Sequence, residues 1–168
     1  MIPEIGHILL ILTFVTSILQ VLFWCFNIKK SDDVTINILI KSTFINFVFI
    51  LFSFGILVYS FIISDFSLVI VSDNSHTLKP LIYKISGTWG NHEGSLMLWI
   101  LILSFFTFLV SRKKHQISYK LLSSIIGIQT IILCLFLSFI LFTSNPFERL
   151  NVLPIDGNGL NPLLQDPG

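Results

Sequence analysis

The sequence predicts an all-α integral membrane protein with four transmembrane helices. Of the 168 residues, 54% are hydrophobic and only 11% are charged, and the mean hydropathy is +0.88. A water-soluble domain of this size needs more polar side chains than this to cover its surface. The apolar residues also fall into four runs, each close to the ~20 residues that a helix needs to cross a bilayer.

The first two predicted spans cover residues 5–28 and 38–63, and a polar turn that starts at Lys29 separates them. The third apolar run, 95–110, is short for a bilayer, so we extend its helix back to a start near Thr88 or Asn91, which gives a span of about 88–110. That extension places His92 and Glu93 in its first turn. The fourth span covers residues 121–142 and contains no charged residue.

The four spans and their loops form a predicted membrane domain, residues 1–142. Within it, residues 64–94 form a long polar loop in which we expect a short interfacial helix or a hairpin. Residues 143–168 are rich in proline and glycine and cannot continue the fourth helix. We expect this last segment to face outward and to lead into a continuation that lies beyond this sequence.

The placement of lysine and arginine predicts the orientation. Positive residues are retained on the cytoplasmic or matrix side of a membrane. Seven of the ten fall in the two loops that share one side: Lys29, Lys30, Lys41, Arg112, Lys113, Lys114 and Lys120. We therefore expect both termini and the loop 64–94 on the outer side, in the periplasm or the intermembrane space.

Several functional classes have no support in the sequence. A formal net charge of +1 argues against nucleic acid binding, which needs an extended basic surface. His92-Glu93 is not a zinc motif, because no second histidine follows four residues later. Cys25 and Cys134 lie in separate apolar runs and belong to no paired-thiol or haem-attachment motif. We therefore predict no metal site.

Polar and ionisable residues lie directly next to a membrane span in the stretch from Ser86 to Trp99. If this stretch is one helix, one stripe on its surface runs from the interface into the lipid. That stripe contains Trp89, His92 or Glu93, Leu96 and Trp99. Two glycines beside the stripe would let another backbone or a flat ligand approach closely. The candidate site residues are Trp89, Gly90, His92, Glu93, Gly94 and Trp99.

A structural interpretation of the same residues stays open. The tryptophans also suit the membrane interface as anchors, and the glycines suit the end of a loop. A histidine and a glutamate at a helix start are often only solvated, and a carboxylate there is favoured by the helix dipole.

Four strings of this sequence are distinctive when they are taken together and in order. They are Pro3-Glu4-Ile5-Gly6-His7, Trp89-Gly90-Asn91-His92-Glu93-Gly94-Ser95, Phe142-Thr143-Ser144-Asn145-Pro146-Phe147 and Leu160-Asn161-Pro162-Leu163-Leu164-Gln165-Asp166-Pro167-Gly168. These strings resemble the CcmF-type cytochrome c haem lyase family of membrane proteins. The resemblance covers the whole chain and identifies it as the amino-terminal portion of such a lyase.

The resemblance implies a role in cytochrome c maturation. In this family, haem is held at the outer membrane face and is joined by thioether bonds to the Cys-x-x-Cys-His motif of apocytochrome c. The family's haem-ligating histidines lie beyond the stretch that matches this chain. The resemblance therefore implies haem b ligated by a partner chain, and it leaves open whether this chain is itself catalytic. The implied partners are the continuing fragment, other maturation factors and apocytochrome c.

An alternative function is that of a structural subunit in a respiratory-chain complex. Size and span number suit that role, but a proton channel needs ionisable residues in mid-membrane, and these spans contain almost none.

The composition also bears on origin. The chain has no alanine, and lysine far outnumbers arginine, which is typical of an AT-rich genome. We expect a split, organelle-encoded gene and the mitochondrial inner membrane, with a bacterial plasma membrane as the alternative.

Small residues such as Gly55, Ser60 and Gly127 would let the continuing fragment pack against these helices.

Overall fold

The computed structural model describes residues 1–30 and 32–159, and these residues are organised by helices alone apart from one isolated β-bridge. Four helices are long and apolar enough to cross a membrane, which confirms an all-helical protein with four candidate spans. In chain order the helices are α1 (Ile2–Asn27), α2 (Asp33–Ile62), α3 (Val69–Asn74), α4 (Leu81–Gly87), α5 (His92–Ser111) and α6 (Tyr119–Thr143). The family string at 160–168 lies outside the described residues.

Local capping explains where two of the long helices begin. The Asp32 side chain accepts a hydrogen bond from the backbone N–H of Thr35, so α2 starts at Asp33, a turn earlier than hydropathy predicts. The Asn91 side chain accepts a hydrogen bond from the backbone N–H of Gly94, so α5 starts at His92, next to the later of the two predicted starts. The predicted long loop contains the two short helices α3 and α4.

The four long helices pack as a ring in the order α1, α2, α5 and α6, and α2 also contacts α6 across the ring. Each helix turns small polar side chains inward beside large apolar ones such as Leu57 and Met97, and it exposes many other large apolar side chains on its outer face. Several buried hydroxyls bond to their own helix; for example, Thr13 donates to the Leu9 carbonyl at 2.8 Å and Thr130 donates to the Ile126 carbonyl at 2.7 Å. This distribution is the one expected where lipid surrounds the helices, because small residues allow close packing.

A buried polar network joins α1 to α2 in mid-membrane. The Asn46 amide donates to Gln20 Oε1 at 2.9 Å, and the Gln20 amide donates to Thr43 Oγ1 at 3.0 Å. Thr16 Oγ1 donates to Asn46 Oδ1 at 2.5 Å. Because lipid offers no replacement partners, each of these groups depends on the others.

At one end of the ring, Lys114 connects the loop between α5 and α6 to the start of α2. Lys114 Nζ lies 2.6 Å from Asp33 Oδ1 and donates to Asn37 Oδ1 at 2.7 Å. The Tyr119 hydroxyl donates to the same Asp33 oxygen at 3.0 Å. The loop and the two helix starts are thereby fixed to one another.

We expect Asn46→Ala to lower the free energy of unfolding by about 1–2 kcal/mol, because it leaves the buried Gln20 Oε1 without its donor and removes the acceptor that Thr16 has on α2. The matched control is Asn27→Ala, since among the described residues the Asn27 side-chain amide bonds only to the Phe23 carbonyl of its own helix. Thermal unfolding in mild detergent measures the difference. Equal midpoints for the two variants would show that the network adds no stability.

Candidate functional site

At the other end of the ring, residues 64–91 and 144–159 fold together, and we call this layer the cap. An antiparallel bridge pairs Leu68 with Arg149. The Val69 N–H donates to the Glu148 carbonyl at 3.0 Å, and the Leu150 N–H donates to the Ser67 carbonyl at 2.9 Å. The pairing connects segments about 80 residues apart in the chain, so the two parts of the cap form one layer.

The amino terminus also belongs to this end. Arg149 forms an ion pair with Glu4, and Arg149 Nη1 lies 3.9 Å from Asp65 Oδ2. These partners are partly exposed, so solvent screens the attraction and the ion pairs add little stability. Their value is that they show which segments lie together. Arg149 therefore connects the start of α1, the loop after α2 and the segment after α6.

Two of the family strings meet here in space. His7 stacks on Phe147 with ring centroids 6.3 Å apart, and its Nε2 lies 3.4 Å from the Asn145 amide nitrogen. Phe147 is buried and lies so close to Gly6 that a Cβ there would be 2.6 Å from the ring. Only glycine leaves room for this contact, so the string at residues 3–7 and the string at 142–147 form one packing unit.

The rest of the cap is held by Asp156. Its carboxylate accepts from the Thr77 N–H at 3.0 Å and lies 3.3 Å from His76 Nε2. The hydrogen bond from the Thr77 side chain, with smaller help from backbone N–H groups and His76, holds the pKa of Asp156 below its usual value. Nearby, burial lowers the pKa of Lys79, whose Nζ donates to the Asn74 carbonyl at 2.8 Å.

Asn91 organises the central segment, although it is not among the candidate site residues predicted from the sequence. Its side chain accepts from the Gly94 N–H at 2.7 Å and donates to the Gly87 carbonyl at 2.9 Å. It therefore connects the end of α4 to the start of α5. An asparagine directly before a helix is an ordinary N-cap signal, and that signal was available in the sequence.

The stripe predicted on one helix is interrupted. Trp89 and Gly90 lie in the turn before α5, whereas the other members of the predicted stripe, His92 or Glu93, Leu96 and Trp99, lie on the helix itself. Trp89 is 41% exposed and Trp99 is 67% exposed. The two tryptophans thus belong to different local structures, one at the cap and one on the outer surface of the ring.

The two candidate glycines have different surroundings. A Cβ on Gly94 would lie 1.6 Å from the Thr88 carbonyl oxygen, whereas the nearest atom to a Cβ on Gly90 is 3.7 Å away. The space beside Gly94 is therefore occupied by the chain's own backbone. Gly90 is exposed in its turn.

His92 and Glu93 lie together in a polar cleft of about 270 Å³ between the cap and the start of α5. The cleft has three carboxylates, from Asp73, Glu93 and Glu148, and no lysine or arginine in its lining. Its other lining residues are Val69, Ile70, Asn74, Asn91, Thr143, Ser144 and Asn145. Such a site favours cationic groups and hydrogen-bond donors.

The histidines of the cap end do not form a haem-ligating pair. His7 contacts Asn145, His76 pairs with Asp156, and the His92 ring meets the edge of Phe139 with centroids 6.1 Å apart. No described contact joins any two of these three rings. The described residues thus fit a surface beside a haem better than a haem ligand set, and no ligation step is assigned to them.

We expect Gly94→Ala to lower stability by about 1–3 kcal/mol or to prevent folding, because the added carbon overlaps the Thr88 carbonyl. Gly90→Ala is the matched control and should change stability by less than about 0.5 kcal/mol, as at other open surface sites. Abundance in the membrane and the thermal midpoint in detergent measure both variants. Helix propensity favours alanine over glycine within α5, so a stable Gly94→Ala variant would contradict the packing explanation.

Comparison with known proteins agrees with these observations. A family model described as Cytochrome C assembly protein matches residues 89–168. The cytochrome c-type biogenesis protein CycK of Rhizobium meliloti is 42% identical over 168 residues, which are 100% of this chain and 25% of that protein. The cytochrome c-type biogenesis protein CcmF of Pseudomonas aeruginosa is 41% identical over 169 residues, covering 100% of this chain and 26% of that protein.

A solved structure, Cytochrome c Heme Lyase CcmF, has the same fold. The TM-score is 0.79 at 24% identity, over 88% of this chain and 25% of that one. The chain thus spans about a quarter of the length of these relatives. Its sequence matches them from end to end, and the resemblance carried by the four strings is confirmed: the chain corresponds to the amino-terminal quarter of the CcmF-type cytochrome c biogenesis proteins.

Proposed function

We propose that this chain is the amino-terminal membrane unit of a cytochrome c haem lyase and that its cap helps to position haem and apocytochrome c for thioether attachment. The observation that carries this proposal is the polar cleft, which brings His92 and Glu93 of the central family string beside Asp73 and Glu148. Asn145, from a second family string, lines the same cleft. Motif residues from distant parts of the chain therefore share one surface.

The chemistry of the cleft suits a cationic partner group. Glu93 and Glu148 can accept hydrogen bonds from a lysine of apocytochrome c, or from an arginine or histidine that itself binds a haem propionate. Trp89 is partly exposed at the same end of the ring and offers a flat apolar surface for packing. Gly90 beside it is exposed and leaves that surface open, whereas Gly94 and Trp99 lie outside this role.

Haem b in this proposal is ligated by the rest of the lyase polypeptide, and this chain supplies part of the surface beside it. The partners are that remaining three quarters, other cytochrome c maturation factors and apocytochrome c. The alternative role as a scaffold of a respiratory-chain complex is not favoured, because the relatives described above are cytochrome c biogenesis proteins.

For orientation, we propose that the cap faces the periplasm or the intermembrane space. The opposite end of the ring has most of the lysines and arginines, which are retained inside. For location, the alanine-free, lysine-rich composition supports the mitochondrial inner membrane, and the bacterial relatives are compatible with a plasma membrane.

We expect Trp89→Ala combined with His92→Ala to reduce holocytochrome c by at least about tenfold. The rate of thioether attachment should fall steeply when haem and apocytochrome c are no longer held in position. Haem staining of cytochrome c measures the yield, and immunoblotting confirms normal abundance of the variant. The control is Phe106→Ala, which truncates an exposed aromatic side chain of α5 well away from the cap. A normal holocytochrome c level in the double variant would mean that the segment only anchors the chain.

We expect a membrane-impermeant thiol reagent, applied from the outer side, to label a cysteine at Leu78 and not one at Ser118. Leu78 is 88% exposed in the cap, and Ser118 is exposed at the other end of the ring. Each cysteine is introduced singly after Cys25 and Cys134 have been replaced by serine. Labelling at Ser118 alone would reverse the orientation and remove the cap from the proposed haem face.

A further inference from the structure

The short helix α4 in the cap turns its apolar side chains away from the protein. Leu81 is 58% exposed, Ile82 is 71% exposed and Tyr83 is 56% exposed. The three residues follow one another in the first turn of the helix. A run of large exposed apolar side chains is unusual on a surface that faces water. This surface of α4 is therefore suited to an apolar neighbour.

The two lysines of the same stretch point the other way, towards the protein. Lys84 Nζ donates to Ser64 Oγ at 2.6 Å, and Lys79 Nζ donates to the Asn74 carbonyl at 2.8 Å. A helix that packs on a protein surface in water has the opposite arrangement, with its lysines in solvent and its apolar side chains inward. The inverted arrangement of α4 is the one expected where the surroundings of the helix are themselves apolar.

The neighbouring long helices place α4 at the edge of the bilayer. Helix α5 has 20 residues, so it is about as long as the hydrocarbon core is thick, roughly 30 Å, and its first residue lies at a membrane boundary. Only residues 88–91 separate the end of α4 from α5. Gly87 of α4 also lies beside the last turn of α2, because a Cβ there would be 3.6 Å from the Phe61 ring. Helix α4 therefore lies at the level where α2 and α5 leave the bilayer.

The outer surface of α2 continues to this level. Tyr59 in its last turn and Ile63 at its end are 44% and 49% exposed, and the bond from Lys84 to Ser64 attaches α4 beside them. Tyr83 adds an aromatic ring with a hydroxyl group, which suits the boundary between acyl chains and water. The exposed apolar surface thus extends from a membrane-spanning helix onto α4.

We propose that Leu81, Ile82 and Tyr83 insert among the lipid headgroups and the first acyl carbons, so that the cap rests on the membrane surface through α4. The partner is the lipid of the leaflet on the cap side, whichever compartment that side faces. The insertion is shallow, as for other helices that lie in the plane of the interface. The proposal does not rest on the proposed function.

The contact with lipid would fix the position of the polar cleft relative to the membrane. The Gly87 carbonyl at the end of α4 accepts a hydrogen bond from the Asn91 amide at 2.9 Å, and Asn91 lines the cleft. The depth of α4 in the interface therefore sets the height of the cleft above the acyl chains.

Depth-dependent fluorescence quenching tests the proposal. A bimane label is attached to a single cysteine at Ile82 after Cys25 and Cys134 have been replaced by serine. Leu78, which is 88% exposed in the turn before α4, is the water-facing control, and Ile102 in the middle of α5 is the deep control. The full chain is reconstituted in phosphatidylcholine vesicles with a nitroxide either near the headgroup or near the end of the acyl chain. Iodide quenches labels that face water.

We expect the shallow nitroxide to quench at least about half of the fluorescence at Ile82, because the label lies at the lipid interface. The deep nitroxide should act mainly on Ile102, and iodide should act mainly on Leu78. Strong quenching by iodide at Ile82, without quenching by either lipid nitroxide, would overturn the proposal. A label at Leu81 repeats the measurement if the Ile82→Cys variant is not recovered.

A second preparation separates lipid from a protein neighbour. The same vesicles are made with the rest of the lyase polypeptide present, and quenching at Ile82 is measured again. An unchanged pattern supports lipid as the neighbour of α4. Loss of lipid quenching in this preparation would show that a protein surface covers α4, and it would also overturn the proposal.

Discussion

The pairing of residues 67–69 with residues 148–150 is the interaction on which the cap depends. It brings the segment after α6 across the ring to the loop after α2, and it places Glu148 and Asn145 opposite α3 and the start of α5. Phe147, one residue earlier, fits against Gly6 at the same time. Without this pairing the cleft would lose one wall, so the polar site depends on a contact between distant parts of the chain and not on α5 alone.

A second constraint comes from the membrane. Inside the ring, small hydroxyl residues and the network of Gln20, Asn46 and Thr43 occupy positions that large apolar residues fill in a soluble protein. Lipid is as apolar as the helix surfaces, so burial of leucine or phenylalanine does not drive helix association. Close packing, in which buried residues such as Leu57, Phe61 and Met97 take part, and satisfied hydrogen bonds hold the four helices together, and many other large apolar side chains face outward.

These two constraints explain what could be predicted from the sequence. Hydropathy alone gives the four spans, because each is a continuous local property of about twenty residues. The start of α5 was also predictable from Asn91, although His92 and Glu93 draw attention away from it. The cap could not be predicted from the sequence, because the bonds of Arg149 to Glu4 and of Asp156 to Thr77 join residues that are far apart in the chain. The role of Gly94 was likewise hidden, since only the approach of Thr88 shows that its space is already filled.

His92 lies where two surfaces of the chain meet. It lines the polar cleft with Glu93, and it also lies at the end of an apolar groove between α5 and α6, beside Phe139. Glu93 lies about 100° further around the helix and lines only the cleft, whereas Leu135 lines only apolar recesses. A substitution of His92 therefore combines two effects, one on the chemistry of the cleft and one on packing in the apolar groove. Changes at Glu93 and at Leu135 separate them, because each residue reaches only one of the two surfaces.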